Sequence, residues 1–413
     1  MTETEFLKTT LDNGLTVIAE RNPLASSMAV GYFVDTGSRD ETADIAGVSH
    51  FLEHMMFKGS DRRSAEDINR EFDELGANYN AYTSEERTVY YGAVLPEAQE
   101  RIVDLLSDMM RPALRNEDFD VEKNVILEEI AMYADMPLHR VFDAASPRFH
   151  AGHPLGNSVL GTVESITALS RDAMHAYFER RYAPNNLVLA AAGNVDWDAL
   201  VSQASKLTGS WTPADTARSY PEFNPASGFE NVTDNKLGRT HMGLFARGVS
   251  AQSDLRYAAS LVANVLSDHG GSRLYWALLD PGLADSAMVQ FDGGNDRAGN
   301  FLGYASTEPA RADQVRDIML AELRGIQDNL PTETEWQAAR NKVATAVTLG
   351  AETPYARLMS LGNSWLYRQE FTPVGELVDR ILNTPVADVE RLLADRPFDE
   401  TFVLQLGPDA GRE

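Results

Sequence analysis

The 413-residue sequence contains no cysteine. Disulfides, thiolate metal sites and cysteine nucleophiles are thereby excluded. It also has no Gly-x-Ser-x-Gly elbow and no phosphate-binding glycine loop, so a serine hydrolase or a nucleotide enzyme finds no support. No apolar run reaches the ~18 residues of a membrane span. Basic residues are scarce: 36 Lys and Arg stand against 62 Asp and Glu, for a net charge of −26. Nucleic acid and anionic membrane surfaces are therefore not expected as partners. Such a charge suits solubility, or attraction for basic peptides. The opening stretch is acidic and polar and does not read as a signal peptide, which makes the cytoplasm the expected compartment.

What is present centres on residues 47–57, Gly-Val-Ser-His-Phe-Leu-Glu-His-Met-Met-Phe. Val48, Phe51, Leu52, Met55 and Met56 recur at helical spacing with no proline among them. On that helix His50 and His54 are four apart and leave the same face, with Glu53 on the same side. Two such imidazoles can bind one zinc ion, and a carboxylate beside them can hold a water against it. His-x-x-Glu-His is the inverted zincin signature.

Around this helix the pattern alternates strands and helices. Residues 9–20 read as a hairpin about Asn13-Gly14. Residues 28–34, 79–83, 88–94 and 186–193 read as strands. Residues 64–75, 96–110, 118–133 and 170–182 read as helices, with Ser64 as a cap, Gly76 as a stop and Pro137 closing the third. Residues 148–161, with His150 and His153, read as a loop. Three prolines and small polar residues mark a linker near 209–228.

Beyond the linker the pattern restarts. Residues 122–137 lie over 339–354 without a gap, at an offset of 217. Residues 242–246 echo 30–34 at an offset of 212. We read a duplicated α+β unit, each copy a mainly antiparallel sheet packed on helices. The expected division is 1–212, a linker at 213–229, and 230–413. In the second copy His50 falls on Val262, His54 on Leu266 and Glu129 on Ala346. That copy therefore carries no metal set.

A catalytic zinc site usually takes three protein ligands and a water. Glu128 and Glu129 are candidates for the third, and being about 100° apart on a helix only one should face the ion. Spacing alone does not choose between them. The chain resembles the M16 metallopeptidases, the pitrilysin, insulysin and mitochondrial-processing-peptidase group, and most of all their short subunits. The resemblance runs through residues 11–15, 47–59, 76–88, 125–137 and 153–162 and continues into the second half. It implies the LuxS/MPP-like metallohydrolase fold and one zinc ion per chain. It makes His50, His54 and Glu129 the ligands, since the third ligand of the family lies about 75 residues on, and Glu53 the general base. It also implies that an edge strand containing Asn80, Ala81 and Tyr82 pairs with an extended, unfolded peptide substrate. An unpaired strand edge suits that role because it offers main-chain hydrogen bonds without demanding a sequence.

One stretch departs from the family. Relatives carry an Arg and a Tyr, seven apart, that bind the substrate carbonyl. Here Leu279 and Asp285 occupy those positions in residues 272–286, which are one residue shorter. The expectation is an endopeptidase subunit that pairs with a paralogue supplying the Arg and Tyr, with a homodimer possible in its absence. The other reading is a structural or peptide-binding subunit with little turnover.

Overall fold

The computed structural model describes residues 4–268 and 270–409. Residues 1–3, the start of the acidic opening stretch, lie outside them. The first sheet has six strands: β1 (Glu5–Thr10), β2 (Thr16–Arg21), β3 (Met28–Val34), β4 (Asn78–Thr83), β5 (Thr88–Val94) and β6 (Leu187–Gly193). Their order is β1-β2-β6-β3-β5-β4. Only β2 and β6 run parallel; the other neighbours are antiparallel. β3 and β6 are buried along their whole length. Such strands need cover on both faces, which explains why their sequences run apolar instead of alternating. One face packs against α1 (Val48–Met55), α2 (Ala65–Glu74) and α3 (Gln99–Met109). The other is covered by the helix Pro354–Arg368, through Leu358, Leu361 and Trp365.

The second sheet holds β7 (Gly228–Thr233), β8 (Thr240–Arg247), β9 (Ser286–Phe291), β10 (Asn300–Thr307) and β11 (Phe402–Gly407), in the order β7-β11-β8-β10-β9. Omit β1 and the two orders correspond strand for strand. The single parallel pair recurs too, as β7 with β11. The duplication read from the offset of 217 appears in the helices as well. α4 (Asn116–Ala134) starts 217 residues before the helix Glu333–Gly350, and α5 (Pro137–His150) starts 217 before Pro354–Arg368.

Compactness divides the chain otherwise than a cut at 213–229. One unit is Met1–Ala131, Asn157–Ser219 and Gly350–Pro373; the other is Met132–Gly156, Tyr220–Leu349 and Val374–Glu413. Each second helix of the duplicated pair thus belongs with the other half's sheet. α5 packs Val141, Ala145 and Phe149 against Phe245, Phe402 and Leu404. Its counterpart Pro354–Arg368 does the same for the first sheet, where Arg357 pairs with Glu20 in the buried layer.

Two local expectations need correction. Pro137 opens α5 at its first turn, where a missing N–H costs nothing; α4 has already stopped at Ala134. The loop expected from 148 starts only after His150, because α5 continues one turn past the internal Pro147. Ser64 does cap α2, accepting from the Asp67 N–H at 3.1 Å. Among the described residues no helix is long and apolar enough to cross a membrane.

The cover over the first sheet is tight at Gly362. A Cβ there would lie 2.2–2.5 Å from ring atoms of Phe33. Alanine favours a helix interior by about 1 kcal/mol over glycine, but overpacking costs about 1–3 kcal/mol. Gly362→Ala should therefore lower the denaturation midpoint, and Phe33→Leu in the same chain should recover part of the loss. A neutral or stabilising Gly362→Ala would contradict this packing.

Candidate metal centre

The helix that carries the histidines is held from outside itself. Its first turn starts at Gly47, with φ of +89°. A Cβ there would sit 2.6 Å from the Leu160 carbonyl oxygen, so only glycine fits. No side chain at Gly47 caps the helix. Instead the buried Glu41 accepts from the Gly47 N–H at 2.6 Å and from the Ser49 N–H at 2.8 Å. A carboxylate at a helix N-terminus meets orphan donors and the positive end of the dipole. Burial nevertheless pushes the Glu41 carboxyl up to about 8. Val48, Phe51, Leu52 and Met55 are buried in the core. That burial turns the face bearing His50, Glu53 and His54 toward α4.

There the two imidazole rings stand 4.7 Å apart, inclined at 65°. The Glu129 Oε2 lies 3.6 Å from His50 Nε2 and 3.5 Å from His54 Nε2. One ligand atom from each residue falls within 4.8 Å of the others. Zinc bonds of about 2.0–2.2 Å at tetrahedral angles hold their donors roughly 3.4 Å apart. The donor set thus fits one zinc ion by chemistry and by spacing. Glu128, the neighbour that spacing could not exclude, is exposed and takes no part in the cluster.

The groups around this cluster are set unequally. His54 Nδ1 meets Glu122 Oε1 at 2.8 Å, and Lys58 Nζ meets Glu122 Oε2 at 2.5 Å. With Nδ1 donating to a carboxylate, the His54 Nε2 lone pair would be available to a metal ion. Burial pulls the His54 pKa down, but the hydrogen bond and the charge of Glu122, with Glu129 and Glu53, outweigh it and raise the pKa. His50 has no such partner: burial, then His54, lowers its pKa to about 3. Its Nδ1 is buried without a hydrogen bond among the described residues. Glu53 accepts from the Thr83 hydroxyl at 2.6 Å. Burial raises the Glu53 carboxyl, partly opposed by Thr83 and His54.

Sequence reasoning missed Glu41, Lys58, Thr83 and Glu122. A signal existed for Glu122: it stands seven residues before Glu129, two helical turns along the same face. Nothing in the spacing linked the other three to the centre.

Asn80, Ala81 and Tyr82 lie on β4, the last strand of the sheet. The Ser84 N–H donates to the Arg87 carbonyl at 2.8 Å and closes the hairpin with β5. Antiparallel alternation then turns the main-chain groups of Tyr79, Ala81 and Thr83 outward. One of these is already engaged, since Asn80 Oδ1 accepts from the Ala81 N–H at 2.9 Å. In the second unit, Val262 and Leu266 are fully buried apolar residues where the histidines would fall. Leu279 ends a π-helical turn, Tyr275–Leu279. The half-exposed Asp285 pairs with Arg239 at 3.1 Å.

A duplicated α+β chain with two histidines and a carboxylate gathered in one half has the layout of a zinc hydrolase. Residues 16–163 match the family described as Insulinase (Peptidase family M16), and residues 168–343 match the Peptidase M16 inactive domain. An uncharacterised zinc protease of Mycobacterium leprae is 32% identical over 98% of this chain and 92% of its own length. Another, from Bacillus subtilis, is 31% identical over 97% of this chain and 98% of its own. The chain belongs to the M16 peptidase family. Among solved structures, a protease from Helicobacter pylori has the same fold at a TM-score of 0.91, with 18% identity over 98% of this chain and 100% of that one. A putative M16-like peptidase from Alicyclobacillus acidocaldarius gives 0.85, with 21% identity over 99% of each.

The geometry separates the two candidate carboxylates. Glu129→Gln should sharply lower the zinc content of the purified protein, while Glu128→Gln should leave it unchanged. The reverse pattern in elemental analysis would show that the ligand assignment is wrong.

Proposed function

We propose that this chain is the zinc-binding subunit of an endopeptidase that hydrolyses extended, unfolded peptides. The observation that carries the reading is the cluster of His50, His54 and Glu129 with Glu53 beside it, hydrogen-bonded to Thr83 but not part of the donor set. A zinc ion held there would supply Lewis acidity toward the peptide carbonyl and acidify a water molecule. Glu53 then acts as general base: it accepts a proton from the attacking water and passes it to the leaving amine. Its pKa, raised by burial, suits a group that must both take up and release a proton. His54, fixed through Glu122, keeps one nitrogen directed at the ion. β4 offers its outward main-chain groups to the substrate, with Asn80, Ala81 and Tyr82 forming the docking edge.

Metal analysis followed by a quenched-peptide assay, with and without a chelator, tests this reading. Glu53→Gln should fold and keep its zinc yet lose nearly all hydrolysis. Unchanged turnover in that variant would remove Glu53 from the mechanism.

Leu279 and Asp285 favour a second, narrower reading of the partner. They give the developing oxyanion no donor, and Asp285 already holds Arg239. Loss of one such donor typically lowers the rate by ~10²–10³. The chain would then work in a heterodimer with a paralogue that supplies an Arg and a Tyr, and would serve chiefly as a binding subunit when paired with itself. The pure chain should therefore turn over extended peptides far below the ~1–10³ per second of ordinary enzymes. Turnover within that range from the homodimer would refute the divided site.

A further inference from the structure

We propose that Lys58 is a positioning residue for the metal centre, fixing His54 through Glu122. The inference rests on the zinc reading above. Lys58 follows the histidine helix, in the short 3₁₀ turn Met56–Lys58. One end is tied just before α4 and the other within it. Arg115, the residue before α4, donates to the Lys58 carbonyl at 3.4 Å and to the Ser60 carbonyl at 2.7 Å. Gly59, between them, has φ of +110°, and a Cβ there would lie 2.6 Å from the Arg63 carbonyl oxygen. The backbone thus turns tightly against the start of α4. From there the Lys58 ammonium reaches Glu122 Oε2 at 2.5 Å, two turns into the helix.

Glu122 is the link. Its side chain is 4% exposed; Oε1 shares a hydrogen bond with His54 Nδ1, and Oε2 is held by charge alone, in an ion pair with Lys58. Without Lys58 that buried oxygen loses its counter-charge, and the carboxylate is free to turn. His54 Nδ1 then loses a fixed acceptor, and with it the imidazole loses the orientation that aims Nε2 at the ion. Lys58 touches no reacting atom, so its effect must pass through Glu122.

The sign of the effect separates this role from plain electrostatics. A nearby ammonium repels a divalent cation, so on charge alone its removal should tighten zinc binding. Positioning gives the opposite result, since loss of an outer partner typically weakens metal binding ~10–100-fold.

The test measures zinc affinity by competition with a chromophoric chelator, with thermal denaturation alongside as a check of fold. Lys58→Met should bind zinc ~10–100-fold more weakly, and Lys58→Arg should restore binding to near the unsubstituted value. In a Glu122→Gln background, adding Lys58→Met should cause no further loss. That double variant buries no unpaired charge, so it carries the test even where Lys58→Met alone does not fold. Equal or tighter binding in Lys58→Met, or the same loss in both backgrounds, overturns the proposal. An unsubstituted chain that takes up no zinc overturns the zinc reading along with it. A chain that takes up one zinc ion and is indifferent to Lys58 overturns this inference alone.

Discussion

The approach of the histidine helix to α4 is the interaction on which the centre depends, and it is electrostatically unbalanced without a cation. Glu53, Glu122 and Glu129 converge there with the two histidines and Lys58. Carboxylates outnumber cationic groups in this largely buried site. A zinc ion held there, as proposed, would offset that excess of negative charge. Burial, then His54, lowers the His50 pKa, whereas at His54 burial is outweighed by the hydrogen bond and charge of Glu122, with Glu129 and Glu53. Other contacts hold the two helices in place: Glu41 anchors the N-terminus of the histidine helix, Arg115 binds the chain after it, and Phe51 stacks on Phe119. Preorganisation of this kind is what lets a centre keep its geometry without being assembled by the ion.

The duplication shows how little of the fold this requires. Both sheets have the same strand order around one parallel pair. Both have a long helix followed by a proline-started helix that covers the other half's sheet. The scaffold is common to the two units, whereas the ionisable groups belong to one.

Much of this was legible in the sequence because it is local. The bounds of β3 and β5, the Ser64 cap and the register of the repeat follow from periodicity and turn chemistry over a few residues. The histidine pair is equally local, being four apart on one helix. Glu129 was harder: its spacing to His54 carries no physical signal, and only resemblance separated it from Glu128. The links from Thr83 to Glu53, 30 residues apart, and from Glu122 to His54, 68 apart, arise only when the chain folds. The start of the loop at 148–161 was misread for another reason. Proline inside a helix ordinarily breaks it, but around Pro147 the buried Ala145 and Phe149 hold the helix against the second sheet.

The second unit also bears on whether the first is merely structural. Where the histidines would fall it has Val262 and Leu266, both fully buried, and where Glu129 would fall it has Ala346. The same architecture is therefore compatible with an apolar interior at the two histidine positions. Buried imidazoles and carboxylates cost free energy that well-packed apolar side chains do not. A subunit that needed only the fold would gain stability by adopting the second unit's solution in the first. The chain instead keeps His50, Glu53, His54, Glu122 and Glu129 together, and adds Lys58 and Thr83 to satisfy two of them. Packing gives no reason for that expense, whereas the proposed zinc site with a proton acceptor beside it would.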